Sequence, residues 1–566
     1  MAYRSTRGTA KDMSFEEAVL EGLATDGGLY IPKNIPKIPL AEIISWANLP
    51  FPKLAFSIFR KFIDTEEIPD ADLQDILTRS FGTFSTPDVT PLKRLPNVFP
   101  GSDNPNFDNT YVLELFHGPT FAFKDVALQV LGNLFEYFLE RRNAKAAEKG
   151  EPPYHITVLG ATSGDTGGAA IYGLRGKKGV EVFILHPKGR ISPVQEQQMT
   201  SVLDENVHNV AVEGTFDDCQ DIVKTLFSDE PFRRRFHLAA INSINWARIL
   251  AQITYYFHSY FNLLRQIGAP LETSSYAALT KVQYCVPTGN FGDILAGYYA
   301  VRMGLPITRL VTATNENDIL HRFFETGRYE KRKKGGQADG NAVGGMAGAP
   351  DAVDASADDE EVRQTLSPAM DILISSNFER LAWYLTRGDG RTEAKVANED
   401  EAATAASKKI AEWMKELKET GGFSVSPEVL SKAKELFASY RTSDGETTDA
   451  IRRYYHNQFN PTPYKQDFSI VNKKPHYYVL DPHTAVGVVA AEHLLQKDAA
   501  ASAQSGRTEA TYTICLSTAS PGKFPEAVLT AINTHVPESS VQKGFTPVKY
   551  EDIAPKELVA LAGLPK

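Results

Sequence analysis

Ile156-Thr-Val-Leu-Gly160-Ala-Thr162-Ser163-Gly164-Asp165-Thr166-Gly-Gly168 runs into Ala-Ala-Ile-Tyr-Gly-Leu174. An apolar, β-favouring run gives way to a glycine and hydroxyl turn and then to a helix-forming stretch, so the pattern predicts a strand over 156–159 and a helix over 166–174. The same alternation continues outward. Strands are predicted over 182–185, 207–212, 282–286 and 310–313, and helices over 218–227, 245–265 and 293–303. Upstream, 111–116 reads as a strand and 125–142 as a helix with Val126, Val130, Leu134 and Phe138 on one face. Strands alternating with helices imply an α/β fold with a mainly parallel sheet and ligands at the carboxyl ends of its strands. The turn at 160–168 suits an anion: its glycines permit close backbone approach, the helix-start amides carry positive potential, and Thr162, Ser163 and Thr166 add hydroxyls. It matches neither GxGxxG nor GxxxxGK[ST], so a dinucleotide or Walker site is not supported. An empty strand-to-helix turn has the same composition.

Other motifs repeat this theme. His117-Gly-Pro-Thr-Phe-Ala-Phe-Lys124-Asp125 sets a lysine after a turn, beside aromatic residues. Apolar surroundings favour the neutral amine that Schiff-base chemistry needs. The same residues also suit a lysine snorkelling from a helix N-terminus. Gly289-Asn290-Phe291-Gly292-Asp293 is a second strand, glycine turn and helix start, hence a second anion cradle or a plain tight turn. Asn242-Ser243-Ile-Asn245-Trp-Ala-Arg248 opens the 245–265 helix with a hydroxyl, two amides and a guanidinium, which fits a phosphate or carboxylate site or, equally, ordinary capping. A strand over 513–516 leads into Ser517-Thr518-Ala-Ser520-Pro-Gly522-Lys523, where a hydroxyl can meet a ring nitrogen or the residues simply end a strand in a turn. Two anion cradles and one activated lysine together suggest pyridoxal phosphate and an anionic substrate.

The 566 residues carry 60 Lys and Arg against 70 Asp and Glu, a net charge of -10 that lacks the basic surface needed for nucleic acid or anionic membrane. No apolar run reaches the roughly 18 residues of a spanning helix. Cys219, Cys285 and Cys515 are too scattered for a CxxC pair. They leave one disulfide open but exclude a disulfide-built scaffold, and a reducing, cytoplasmic compartment is expected. The N-terminus shows no signal-type apolar segment. No metal site is expected. Ser14 is expected to cap a first helix and 70–79 to form another within a mainly helical region, 14–95, followed by a linker at 96–105. Residues 331–361 run from basic through Gly/Ala-rich to acidic, and 497–509 are Ala/Ser/Gln-rich; both are expected to be mobile surface loops.

The motifs, together with Tyr3-Arg-Ser-Thr-Arg7, Ser14-Phe-Glu-Glu-Ala, Gly22-Leu-Ala-Thr-Asp-Gly-Gly28, Ser367-Pro-Ala-Met-Asp-Ile372 and Asp481-Pro-His-Thr-Ala, resemble in content and order the threonine synthases of the longer, fungal and bacterial type. The resemblance covers nearly the whole chain outside the two insertions. It implies an α/β, fold type II pyridoxal-phosphate enzyme, tryptophan synthase β-like, with two parallel-sheet lobes. An N-terminal helical domain over 1–97 would precede a catalytic region over 98–566, whose smaller lobe spans about 125–245. It further implies Lys124 as the Schiff-base and catalytic lysine. Gly289, Asn290, Phe291, Gly292 and Asp293 would bind the cofactor's phosphate, and Thr518 would face its pyridine nitrogen. Thr162, Ser163, Gly164, Asp165 and Thr166 would receive the substrate's α-carboxylate, and Ser243, Asn245 and Arg248 its phosphate. Relatives often carry His and Ala where this chain has Ser520 and Gly522.

The implied reaction converts O-phospho-L-homoserine and water to L-threonine and phosphate, the last step of threonine biosynthesis, in a monomer or homodimer without nucleic-acid or membrane partners. A related phospholyase or hydroxy-amino-acid dehydratase, yielding keto acid and ammonia, would share Lys124 and both loops. A non-enzymatic cofactor-binding homologue is the third reading; intact Lys124 and intact loops speak against it.

Overall fold

The computed structural model describes residues 1–98, 104–239, 241–269, 281–331, 362–456, 478–505, 510–534, 547–561 and 564. The larger sheet has six strands in the order Phe437–Arg441, Ile307–Thr314, Lys281–Pro287, Thr511–Ser517, Thr110–Glu114 and Leu92–Arg94. All neighbours are parallel except the antiparallel edge strand Leu92–Arg94. Thr513 pairs with Gln283 on one side and Thr110 on the other. The carboxyl ends of these three strands therefore reach one sheet edge. The segments that leave it carry Gly289–Asp293, Thr518 and Lys124, which is how a parallel sheet gathers residues distant in sequence.

The smaller sheet is wholly parallel, in the order Val207–Val212, Val180–Pro187, Ile156–Ala161 and Leu238–Ala239. Thr162 follows its Ile156–Ala161 strand, and Asp165–Leu174 is the next helix. The predicted strands and helices are all present, with ends shifted by a few residues. Helix Phe216–Ser228 starts earlier than the predicted 218 because Thr215 and Asp218 form a capping box.

Helices Lys124–Glu148 and Trp246–Gln266 depart from the one-face pattern. The first is buried on all sides through Phe135, and the second is buried almost throughout. The reason is packing: Trp246–Gln266 lies against Lys124–Glu148, Gly292–Met303 and Phe51–Phe59 together, so no face is left for water. The N-terminal residues share this core. Tyr3 and Phe62 pack on Trp246 with ring centres 5.8 and 5.7 Å away. Ser14 caps the first helix as expected, and the structure adds a capping box with Glu17; the second predicted helix is Asp70–Phe81.

Residues 497–505 correct an expectation. They are not a loop but the end of helix Pro482–Ser505, because an alanine-rich run has the highest helix propensity available. Residues 332–361 and 506–509, and residues 99–103 of the linker, lie outside the described residues. All three cysteines are free and buried. Among the described residues no helix is long and apolar enough to cross a membrane.

A close backbone contact helps hold the Lys124 helix to helix Asp165–Leu174. A Cβ on Gly132 would sit 1.9 Å from the Gly173 carbonyl oxygen, and one on Gly173 would sit 2.6 Å from that of Leu128. Helices Lys124–Glu148 and Asp165–Leu174 thus touch backbone to backbone. Gly132→Ala forces them apart and should destabilise by about 1–3 kcal/mol, the usual range for overpacking. Gly445→Ala, at an open helical position, should leave the melting temperature unchanged or slightly raised. Thermal unfolding of both variants beside the parent checks this, and equal melting temperatures would refute the packing argument.

Candidate active site

Lys124 opens its helix directly after a segment zipped to the end of the larger sheet. The Phe123 N–H donates to the Thr518 carbonyl at 2.8 Å, the Ser520 N–H to Phe121 at 3.0 Å, and the Leu115 N–H to Ser517 at 2.9 Å. These bonds bring Lys124 and Thr518 together across almost four hundred residues of chain. Lys124 is only 7 % exposed, with Nζ 5.0 Å from the Phe123 ring centre. Burial lowers its pKa; Asp165 opposes the shift, and the charges of Lys523 and Arg248 add to it. The environment inferred from the aromatic neighbours thus exists, with charged groups that the local sequence did not reveal.

Asp165 lies at its centre. Its Oδ2 is 3.5 Å from Lys124 Nζ, while Oδ1 accepts from Lys523 Nζ at 2.7 Å and from Gln195 Nε2 at 2.8 Å. Burial pushes the carboxyl up, but the ammonium groups of Lys523 and Lys124 outweigh it and hold the group well below the usual carboxylate range. The side chain expected near a substrate carboxylate is therefore committed to two lysines, which also removes the repulsion a free Asp would cause. Thr162 likewise serves the loop: its Oγ1 accepts the Gly164 and Gly167 N–H groups at 3.0 and 2.9 Å. Gly164 is indispensable, with φ +145 and Gln195 Oε1 only 2.1 Å from where a Cβ would stand. Ser163 is exposed and Thr166 half-buried, so these two side chains are not closed off inside the loop as Thr162 is.

The turn at 289–293 begins where strand Lys281–Pro287 ends. A Cβ on Gly289 would lie 3.1 Å from Met370 Cα, and Phe291 sits in the left-handed region at φ +63. That turn aims the first-turn amides of helix Gly292–Met303, which have no intrahelical acceptor, at the sheet edge. Asp293 turns the other way. Its carboxylate accepts from the hydroxyls of Tyr255 and Tyr256, while Oδ2 is buried without a partner. Burial raises its pKa to about 7. It anchors the turn to helix Trp246–Gln266 and does not present a carboxylate to an anion. Ser376 Oγ bonds both Ser243 Oγ at 3.0 Å and Asn290 Oδ1 at 3.2 Å, and Asn377 Nδ2 donates to the carbonyls of Asn290 and Ser243. The 242–248 motif and the 289–293 turn read from sequence are thus one continuous wall.

Asn245 is the N-cap of its helix and donates to the Val19 carbonyl at 2.8 Å, so capping describes this residue and its amide does not reach an anion. Arg248 is different. It is buried, donates to the Ile241 carbonyl at 3.1 Å, and leaves Nε buried without a partner. Burial lowers its pKa to about 10, and no carboxylate pairs with it among the described residues. Sequence reading missed Lys523, Gln195, Ser376 and Asn377. Lys523 stood at the end of a quoted motif, but nothing local marks a partner more than three hundred residues away. Gly522 is explained by its surroundings: a Cβ there would lie 2.7 Å from Ala554 Cα.

These residues fit a phosphorylated aldehyde. A buried amine of lowered pKa stands beside a crowded glycine turn with free helix-start amides, and a buried guanidinium lacks its anion. The fold and site define a pyridoxal-phosphate-dependent enzyme of fold type II. Residues 85–428 match the family described as pyridoxal-phosphate dependent enzyme, 2–81 match the threonine synthase N terminus and 484–566 the threonine synthase C-terminal family. Threonine synthase of Saccharomyces cerevisiae is 48% identical over 567 residues, covering 100% of this chain and 94% of the relative. The crystal structure of threonine synthase from yeast superposes with a TM-score of 0.80 at 47% identity, over 100% of this chain and 94% of that one. The pyridoxal-phosphate-bound threonine synthase from Brucella melitensis gives a TM-score of 0.71 at 37% identity, over 94% and 92%. The chain belongs to the threonine synthase family, and its cofactor is pyridoxal 5'-phosphate.

Asp293 generates a pH prediction. Its folded pKa of about 7 lies above the unfolded value of 3.8, so between these values the unfolded chain releases a proton that the folded chain keeps. Its contribution to stability therefore falls as pH rises from about 4 to 7 and then levels off. Asp293→Asn keeps an acceptor for the tyrosines and abolishes this term. Its denaturation midpoint relative to the parent should climb from pH 4 to pH 7; a constant difference across that window would place the Asp293 pKa elsewhere.

Proposed function

We propose that this chain, a threonine synthase by family, acts on O-phospho-L-homoserine and water and releases L-threonine and phosphate. The observation that carries the substrate is Arg248, a buried guanidinium with an unpartnered Nε and, among the described residues, no carboxylate against it, close enough to Lys124 to lower its pKa. A buried cation without a counter-ion is costly unless a ligand supplies the anion. A substrate phosphate, held also by Ser243, is that anion.

The cofactor, when bound, supplies the electron sink that stabilises carbanions next to the reacting carbons. The chain supplies everything else. Lys124 anchors the cofactor and then, released by the substrate's amine, serves as the mobile base that takes protons from Cα and Cβ and returns them at Cγ and Cα. Burial lowers its pKa, which favours the neutral amine that this role needs. The amides of Gly289, Asn290, Phe291 and Gly292 hold the cofactor's phosphate, and Asp293 holds that turn in place from behind. Thr518 faces the ring nitrogen with a hydroxyl instead of a carboxylate, which leaves the ring less protonated and restrains side reactions. Ser163 and Thr166, with the backbone from Gly164 on, receive the substrate's α-carboxylate. Arg248 and Ser243 hold the phosphate until the Cγ–O bond breaks, and water then adds at Cβ. The three buried, reduced cysteines suit a cytoplasmic setting.

Incubation of the purified protein with O-phospho-L-homoserine, with both products identified, tests the reading: threonine and phosphate are expected, whereas keto acid and ammonia would make it a phospholyase. Lys124→Ala should remove the visible cofactor band and lower turnover by at least about 10² to 10⁴-fold, the share of general acid–base catalysis alone. An unchanged band would assign the cofactor to another lysine. Arg248→Ala should leave the band intact and lower kcat/KM by roughly 10 to 150-fold, equivalent to ~1.5–3 kcal/mol for a charge-assisted contact. Arg248→Lys should recover only part, since an ammonium lacks the fork geometry. Parental kcat/KM in Arg248→Ala would remove this residue from the substrate site.

A further inference from the structure

Lys523 is completely buried, yet the reaction gives it no chemical step. Its Nζ donates to Asp165 Oδ1 at 2.7 Å and to the Thr120 carbonyl at 2.8 Å. Thr120 in turn gives its N–H and its hydroxyl to Asp125, the residue after Lys124. Lys523 therefore grips both the carboxylate that faces Lys124 and the turn that delivers Lys124. Asp165 divides its oxygens: Oδ1 is held at hydrogen-bond distance by Lys523 and Gln195, and Oδ2 stands 3.5 Å from Lys124. The stronger pairing is with the lysine that performs no chemistry.

That division has a consequence for charge. If Asp165 had only Lys124 as partner, each loss of a proton from Lys124 would strand a buried carboxylate, and the carboxylate would hold the proton on Lys124. With Lys523 present, the carboxylate stays compensated whichever charge Lys124 carries. We propose that Lys523 is a positioning residue for Lys124: by holding Asp165 and the Thr120 turn, it leaves the Lys124 amine free to part from the carboxylate and reach the cofactor's aldehyde. This rests on the assignment of the cofactor to Lys124 made above. The charged groups facing Lys124 are Asp165 from helix Asp165–Leu174, Lys523 from the Pro521–Lys523 turn and Arg248 from helix Trp246–Gln266; His483, at the start of helix Pro482–Ser505, acts on Asp165.

The test is uptake of pyridoxal 5'-phosphate by the full-length chain after removal of the cofactor, followed through the visible band between pH 6.5 and 9.5. In this step the free amine condenses with the aldehyde and one water leaves. Lys523→Gln should slow uptake at pH 7 by about tenfold, the equivalent of one pKa unit on Lys124, and the deficit should close as the pH rises. Lys523→Arg should restore most of the rate. The double variant Lys523→Gln/Asp165→Asn should return close to the parent, because removing the carboxylate removes its hold on the ammonium. Parental uptake in Lys523→Gln, or a double variant as slow as Lys523→Gln at every pH, would overturn the proposal, the latter by showing a purely structural contribution. Should Lys523→Gln not fold, Asp165→Asn alone decides: uptake at least as fast as the parent at pH 7 supports the proposal, and slower uptake overturns it. Borohydride reduction of each loaded protein and peptide mapping separates the two readings, since label on a lysine other than Lys124 in the parent refutes the anchor assignment instead.

Discussion

A buried carboxylate between two buried ammonium groups is the constraint on which the site depends. Asp165 comes from the smaller lobe, Lys124 from the loop that leaves the larger sheet, and Lys523 from the turn after that sheet's Thr511–Ser517 strand. None of these charges is tolerable alone in this interior. Their mutual neutralisation, with Gln195 and Thr120 satisfying further hydrogen-bonding sites, fixes the distance between lobes at the place where chemistry occurs. The glycine contact between helices Lys124–Glu148 and Asp165–Leu174 sets that geometry from behind, by bringing two backbones closer than any side chain would allow.

A second layer of contacts holds the anion wall. Arg380 is fully buried and donates to the carbonyls of Tyr30 at 2.9 Å and Ile244 at 2.6 Å, and also to Asn377 Oδ1. Its neighbour Glu379 accepts from Thr6 Oγ1 at 2.6 Å and pairs with Arg7 at 2.9 Å. Asn245 adds its bond to Val19. The N-terminal residues thus act on the site through the backbone around Ser243 and Asn377. This gives a physical reason for the Tyr3-Arg-Ser-Thr-Arg7 motif: Thr6 and Arg7 are the partners of a carboxylate whose neighbour Arg380 bonds Asn377 and the Ile244 carbonyl.

Much of this was legible from the chain alone. The alternation of strand and helix, the glycine turns at 160–168 and 289–293, the capping box at Ser14 and the lysine among aromatics are local features. Local sequence states them because their determinants lie within a few residues of one another. The order of several such motifs carried the family and, with it, the cofactor. The reach of helix Pro482–Ser505 through the alanine-rich run was also written locally, in helix propensity, although composition suggested a loop.

Tertiary structure decided where the side chains point. Asn245, Asp293 and Thr162 belong to the same motifs as Arg248, Gly289 and Ser163. They face the protein because Val19, Tyr255, Tyr256 and the Gly164 and Gly167 amides offer them partners there. Arg248 has no such carboxylate partner among the described residues, and its Nε is buried without an acceptor. Lys523 acquires its meaning only when the Thr511–Ser517 strand has paired beside Thr110–Glu114 and the smaller lobe has brought Asp165 against it. The sequence by itself determined the elements, the turns and the kinds of group available. Only the folded arrangement decided which charges neutralise each other and which stay open to substrate, because a buried charge is governed by its neighbours in space and those neighbours lie hundreds of residues apart.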